Sequence, residues 1–229
     1  MASELSRRRA SVMSQSQAIA SRLDASAEAA ETGTNGARRV EYDEEEPAAG
    51  RRRPRYDVFI NHRGVDTKRN VARLLYDRLQ QLAGGGVRSF LDSMSMRPGD
   101  RLNERIYEAI RECRVAVAIF SPRYFDSEFC LEELAAIVEA RKIIIPIFYD
   151  IKPSELVLPP AVVDSKEHLP RDIERFRLAL REVKYTVGLC HDSTTGDLAD
   201  LVSAAANAVL ERIEEMGSVQ RRQMIVSRL

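Results

Sequence analysis

The chain has 229 residues, enough to bury a sizeable core as one domain or two small ones. Its 35 basic and 35 acidic side chains cancel, so the strong global field that gathers nucleic acid is absent, and nucleic acid is not an expected partner. Apolar residues make up 44%, and no apolar run approaches the roughly 18 residues needed to span a bilayer, so no membrane span is expected.

Cys113, Cys130 and Cys190 are odd in number, widely spaced and without a CxxC pair. They argue against a disulfide scaffold or a thiolate metal site and fit a reducing compartment. Arg7, Arg8 and Arg9 are followed by Ala, Ser and Val, without the long apolar stretch of a secretory signal. The Ser-, Ala- and Arg-rich composition of residues 2–23 keeps organelle import open beside the expected cytoplasmic location; the nucleus stays open too. Residues 1–53 contain one aromatic, Tyr42, and few large aliphatics. Such a segment cannot offset its ordering entropy and reads as a disordered arm. Its acidic block at Glu41 to Glu46 and the arginines at Arg51, Arg52, Arg53 and Arg55 fit a solvated linker. The less favoured alternative is that the arginines form a basic patch for acidic lipid, nucleic acid or a protein partner.

At Tyr56 the composition changes. Tyr56 to Ile60 is a short β-prone run bounded by Asn61, His62 and Gly64. Thr67 to about Leu82 predicts a helix, because Val71, Leu74, Leu75, Leu79 and Leu82 recur mostly at three- and four-residue steps, and Gly84-Gly85-Gly86 ends it. Val87 to Leu91 predicts the second strand. A polar loop through Pro98 and Gly99 follows, then a helix from Leu102 to about Glu112 with Leu102, Ile106, Ala109 and Ile110 on its apolar face. Val115 to Phe120 is uninterrupted apolar, as expected of a strand covered on both faces. Leu131 to Ala140 reads as a short helix and Ile143 to Tyr149 as another covered strand, whose interior Pro146 favours an edge or a strand end. A helix from about Arg171 to Lys184 and a strand at Tyr185 to Leu189 come next. The final helix carries the stripe Leu198, Leu201, Val202, Ala205, Val209, Ile213 and Met216. The domain is thus placed at residues 54–216, with a flexible tail at 217–229.

Strand and helix alternate five times, which predicts an α/β, three-layer, doubly wound sheet. The length suits a flavodoxin-like, five-stranded parallel sheet of order 2-1-3-4-5, with ligands at the carboxyl ends of the strands. Asn61, His62, Arg63, Gly64, Val65 and Asp66 follow the first strand. Gly64 lets the backbone turn close to a ligand. Arg63 could pair with a phosphate or with Asp66, or the two could simply cap the loop. Neither GxxxxGK[ST] nor GxGxxG occurs, so the usual nucleotide cradles are missing. Ser121 stands where a phosphorylated response-regulator sheet would want an aspartate. Glu132 and Glu133 are neighbours about 100° apart on a helix, so they cannot share one face. With Leu131, Leu134, Ile137 and Val138 turned to the core, Glu133 leans toward the strand ends and Glu132 toward solvent. Glu133 is either catalytic or, as most glutamates in a first helical turn are, there to favour the helix dipole. His62, His168 and His191 are too scattered to suggest a metal site, and His62 could equally contact a ligand or be a satisfied surface histidine. Cys130, between Phe129 and Leu131, reads as a core residue.

Together these residues resemble the plant-type TIR domain. YDVFINHRGVDTKRN at 56–70 looks like its opening strand and phosphate-side loop, and FLDSMSMRPGDRLNERIYEAIREC at 90–113 resembles its second strand, mobile loop and helix. VAIFSPRYFDSEFCLEELAAI at 117–137 and IIPIFYDIKPSEL at 144–156 match the remaining signatures. The resemblance implies cleavage of NAD between nicotinamide and ribose, NAD being the substrate with no resident cofactor or metal. Glu133 matches the glutamate of the family's C-L-x-E-L motif, and by resemblance engages the ribose hydroxyls and stabilises the developing positive charge. Asn61, His62, Arg63, Gly64, Phe90, Ser121, Phe129 and Cys130 become substrate-side candidates; Asp92, Met96, Arg97, Pro98 and Gly99 belong to a regulatory loop. Products would be ADP-ribose or its cyclic isomers. The implied partners are like TIR domains, including further copies of this chain, and lipase-like proteins that sense the products in plant immunity and cell death. The chain departs from the family where Asn61-His62 replaces Ser-Phe, Val65 replaces Glu, Phe129 replaces Trp and Ala72-Arg73 replaces a Ser-His pair used in self-association. The altered 61–65 loop motivates the alternative of a non-catalytic adaptor working through TIR–TIR association.

Overall fold

The computed structural model describes residues 55–82, 87–165 and 168–226. The expectations for residues 1–53 and for Gly84-Gly85-Gly86 lie outside the described residues. Five parallel strands form one sheet: β1 (Val58–His62), β2 (Ser89–Phe90), β3 (Val115–Phe120), β4 (Ile143–Tyr149) and β5 (Leu189–His191). Their order is β2-β1-β3-β4-β5, the doubly wound arrangement that the strand–helix alternation predicts. The main helices are α1 (Val71–Leu82), α2 (Leu102–Glu112), α3 (Glu128–Glu139), α4 (Pro170–Lys184) and α5 (Leu198–Val226).

The two-residue period of a strand divides the core between the faces of the sheet. Val115, Val117 and Ile119 of β3 pack with Val71, Leu75 and Leu79 of α1 and with Leu201, Val202 and Val209 of α5. The alternate residues Ala118 and Phe120 meet Leu131 and Leu134 of α3 and Phe176 and Leu180 of α4. Ala116 joins Phe59, Phe90, Ile106 and Ile110 beneath α2. Both faces are covered, which is why β3 is apolar throughout.

Element boundaries move where side chains or backbone carbonyls compete for donors. The helix expected from Thr67 is split into a turn at Gly64–Thr67 and α1 from Val71. Asn70 breaks it: its Oδ1 accepts Val71 N–H at 2.7 Å while its Nδ2 donates to the Asp66 carbonyl at 3.1 Å. α3 starts at Glu128, ahead of the expected Leu131, because Ser127 caps it by accepting Cys130 N–H. β2 shrinks to Ser89–Phe90, and β5 starts at Leu189, where the sequence points to Tyr185. Thr186 Oγ1 donates to the Glu182 carbonyl at 2.9 Å, so this stretch serves the end of α4. α5 passes Gly217, where the tail is expected to begin, and runs to Val226. A mid-helix glycine costs only about 1 kcal/mol relative to alanine, so Gly217 by itself does not end the helix.

β5 pairs with Ile147, Phe148 and Tyr149 only, so Pro146 lies on the part of β4 without a β5 neighbour. Gly188 passes so close that a Cβ there would meet the Pro146 carbonyl at 2.5 Å and the Phe148 ring at 2.8 Å. Gly188→Ala is therefore expected to destabilise the domain by about 1–3 kcal/mol, read as a shifted urea midpoint; an unchanged midpoint would show that this edge yields freely. Among the described residues, no helix is long and apolar enough to cross a membrane.

Candidate active site

A cleft of about 670 Å³ opens at the carboxyl end of the sheet. One wall is the turn after β1, with His62, Arg63, Gly64, Val65, Asp66, Lys68 and Arg69. Asp92, at the start of the loop after β2, and Leu102 and Ile106 of α2 form a second wall. Ser127, Phe129, Cys130 and Glu133, from the N-terminal part of α3, complete the third. This is where an open α/β sheet binds ligands, and the volume suits a small molecule.

Glu133 is set in the cleft by a buried polar chain. The Tyr124 hydroxyl, fully buried, faces Asn61 Oδ1 and lies 3.0 Å from the Cys130 carbonyl. Asn61, itself fully buried at the end of β1, uses Nδ2 to donate to Glu133 Oε2 at 2.8 Å. The amide orientation follows from the carboxylate, which only accepts and so needs the N–H₂, leaving Oδ1 to the Tyr124 hydroxyl. Burial pushes the Glu133 carboxyl up to about 7 against the Asn61 hydrogen bond, with Asp92 and Glu132 adding to the rise. Glu132 is outside the cleft lining and stands beside Tyr107 and Arg175. Burial also raises its carboxyl, with Glu128 contributing next.

Cys130 lines the cleft, yet its thiol donates to the His62 carbonyl at 3.4 Å, and burial pushes it up to about 12. It holds α3 against β1 as a neutral thiol rather than a nucleophile. Phe129 is 56% exposed, an aromatic face left open at the cleft. The Arg63 Nε atom is buried without a hydrogen-bond partner. Lys68 and Arg69 are exposed beside it, so the turn after β1 presents three cations to the cleft.

The cleft brings together His62, Arg63, Gly64, Asp92, Phe129, Cys130 and Glu133 from the residues singled out in the sequence, with Asn61 directly beneath Glu133. It does not bring in Phe90 or Ser121. Phe90 is buried and stacked on Phe59, with ring centroids 5.4 Å apart. Ser121 is buried, and its hydroxyl donates to Asp66 Oδ2 at 2.7 Å. The same carboxylate oxygen takes Arg123 N–H at 3.1 Å, so Asp66 ties the loops after β1 and β3 together instead of pairing with Arg63. Of the expected regulatory loop only Asp92 lines the cleft; Met96 packs against the Phe59 cluster, and Arg97, Pro98 and Gly99 are outside the lining. Lys68, Arg69, Leu102, Ile106 and Ser127 were not singled out as site residues. The basic TKRN stretch beside the β1 loop is the one signal that could have pointed to the first two.

The TIR domain family model matches residues 55–226. The chain is 67% identical over 215 residues to a protein of Brachypodium distachyon named probable 2' cyclic ADP-D-ribose synthase BdTIR, covering 92% of this chain and 95% of that one. It is 32% identical over 156 residues to TMV resistance protein N of Nicotiana glutinosa, covering 62% of this chain but 13% of the relative. Among solved structures, the TIR domains of the activated Roq1 resistosome superpose with a TM-score of 0.59 at 29% identity, over 67% of this chain and 99% of that chain. The five-stranded order, the cleft at its carboxyl edge and a family match spanning the whole described fold agree, and the chain belongs to the TIR domain family.

Proposed function

We propose that this protein cleaves the nicotinamide–ribose bond of NAD and forms a cyclic ADP-ribose isomer, the kind of product for which its Brachypodium relative is named. The observation that carries the reading is Glu133, a half-buried carboxyl held in the cleft by Asn61. The C–N bond breaks, nicotinamide leaves with the bonding electrons, and positive charge develops on the ribose. An ionised Glu133 stabilises that charge, more strongly in a water-poor cleft than in solution. A hydroxyl of the same molecule then captures the ribosyl carbon and loses its proton, giving the ring; capture by water gives ADP-ribose instead. Arg63, with Lys68 and Arg69, supplies positive charge for the diphosphate, and Phe129 offers a ring face to a base. NAD is the substrate, and no resident cofactor is required by this chemistry.

The reading places the protein in the cytoplasm, in plant immunity and cell-death signalling, with its products sensed by lipase-like partners. Incubating the protein with NAD and separating the products tests the reading. Free nicotinamide and a cyclic product are expected; no nicotinamide above buffer would leave only association through other TIR domains. Self-association is part of the same proposal. Specific activity should rise with protein concentration; if it stays constant across about a hundredfold range while light scattering shows monomer, the assembly reading falls.

A further inference from the structure

His62 is nearly fully buried, and its two ring nitrogens have different partners. Nδ1 lies 2.9 Å from Thr67 Oγ1. The Thr67 hydroxyl has a single proton, and it donates this to the Arg63 carbonyl at 2.9 Å. Thr67 thus anchors the Nδ1 side of the ring to the turn after β1. Nε2 is buried on the other side without a hydrogen-bond partner and faces Asp92 Oδ1 at 3.5 Å. His62 in turn draws the Asp92 carboxyl below its ordinary value.

Asp92 is the first residue of the short helical turn Asp92–Ser95, which opens the loop leading to α2. Met94 and Ser95 N–H groups both return to the Leu91 carbonyl, and Ser95 Oγ accepts Leu91 N–H at 3.1 Å, so the turn moves as a unit. On its outer side Arg73 of α1 reaches Met94 Sδ at 3.0 Å. Asp92 thus brings this turn to the cleft wall, where the buried ring of His62 faces it from the inside.

We propose that His62 is a positioning residue that latches the Asp92–Ser95 turn against the end of β1, setting the wall of the cleft before NAD enters. This inference rests on the NAD-cleaving reading only for its kinetic consequence; the latch itself is a property of the free protein. Unlatching the turn lowers the fraction of molecules with a formed wall, and apparent affinity falls by that fraction. His62→Phe, which keeps an aromatic ring without nitrogens, should raise the KM for NAD about tenfold while kcat falls far less. Asp92→Ala should do the same, and the double variant should be no worse than either alone, because both remove one contact. His62→Gln keeps an N–H near the position of Nε2 and should recover most of the wild-type KM.

The structural readout is hydrogen exchange without NAD. The amides of Met94, Ser95 and Met96 should exchange about tenfold faster in His62→Phe and Asp92→Ala, and near the wild-type rate in His62→Gln. Should His62→Phe fail to fold, Asp92→Ala and His62→Gln carry the same comparison. Unchanged exchange in Asp92→Ala, or equal KM in the wild type and the variants, would overturn the latch while leaving the NAD reading intact. Absence of nicotinamide release from the wild type would defeat the NAD reading alone, and the exchange rates would still decide the latch.

Discussion

Replacing Glu133 by glutamine is expected to reduce nicotinamide release below detection in an ordinary assay, whereas Glu132→Ala should keep most of the wild-type rate. The two residues are adjacent, so the contrast cannot come from helix propensity or from distance along the chain. One step on a helix turns a side chain by about 100°, and this turns Glu133 into the cleft and Glu132 toward Tyr107 and Arg175. Glutamine keeps the size of glutamate and an oxygen to accept from Asn61 Nδ2, so the polar chain from Tyr124 survives. What is lost is charge. A carboxylate facing a developing ribosyl cation with little water between them supplies several kcal/mol, and every 1.4 kcal/mol or so is tenfold in rate. The measurement is nicotinamide release at matched protein concentration and oligomeric state. A fully active Glu133→Gln protein, or a loss confined to Glu132→Ala, would put the chemistry elsewhere.

The sequence carries the repeating parts of this structure and loses those that depend on single long-range contacts. The apolar runs at Val115–Phe120 and Ile143–Tyr149 had to be covered strands, and both are observed with those bounds. The pairing of hydrophobic spacing with a 100° turn was enough to separate Glu133 from Glu132. Ser121 shows the limit. A strand-end serine in a doubly wound sheet reads as a ligand contact, but Asp66, 55 positions earlier, takes its hydroxyl inward. Phe90 fails similarly, because its stack on Phe59 depends on β1 and β2 lying side by side. The Asn61–Glu133 hydrogen bond spans 72 positions and leaves no local signature, although it orients the carboxyl in the cleft. His62 was legible as a ligand contact or a satisfied histidine. Its partners Thr67 and Asp92 appear only once the turn after β1 and the loop after β2 meet.

The same Glu133→Gln substitution should make the protein more stable at alkaline pH, and only there. Burial raises the Glu133 carboxyl from its ordinary 4.5 to about 7 in the folded protein. Between those limits the folded state holds a proton that the unfolded chain has released, so stability falls as pH rises. The contribution is fully present below about 4.5 and is gone once the pH passes about 7. At about 1.4 kcal/mol per pH unit, a gap of this size corresponds to roughly 3 kcal/mol, a large share of a typical domain's stability. Glutamine does not titrate, so the variant escapes the loss. Urea unfolding at pH 5 and pH 8 should show the stability difference between variant and wild type shifting in the variant's favour by up to about 3 kcal/mol at the higher pH. Activity follows the opposite course in the wild type: the ionised carboxylate is the competent form, so the rate should climb as pH rises through about 7. Asn61→Ala removes the donor that favours the charged form, and should move this rise to higher pH. A variant-to-wild-type stability difference that is the same at both pH values would mean that Glu133 is not held protonated by burial. The coupling is then between function and fold: the charge that the reaction uses is one that the folded chain would be more stable without.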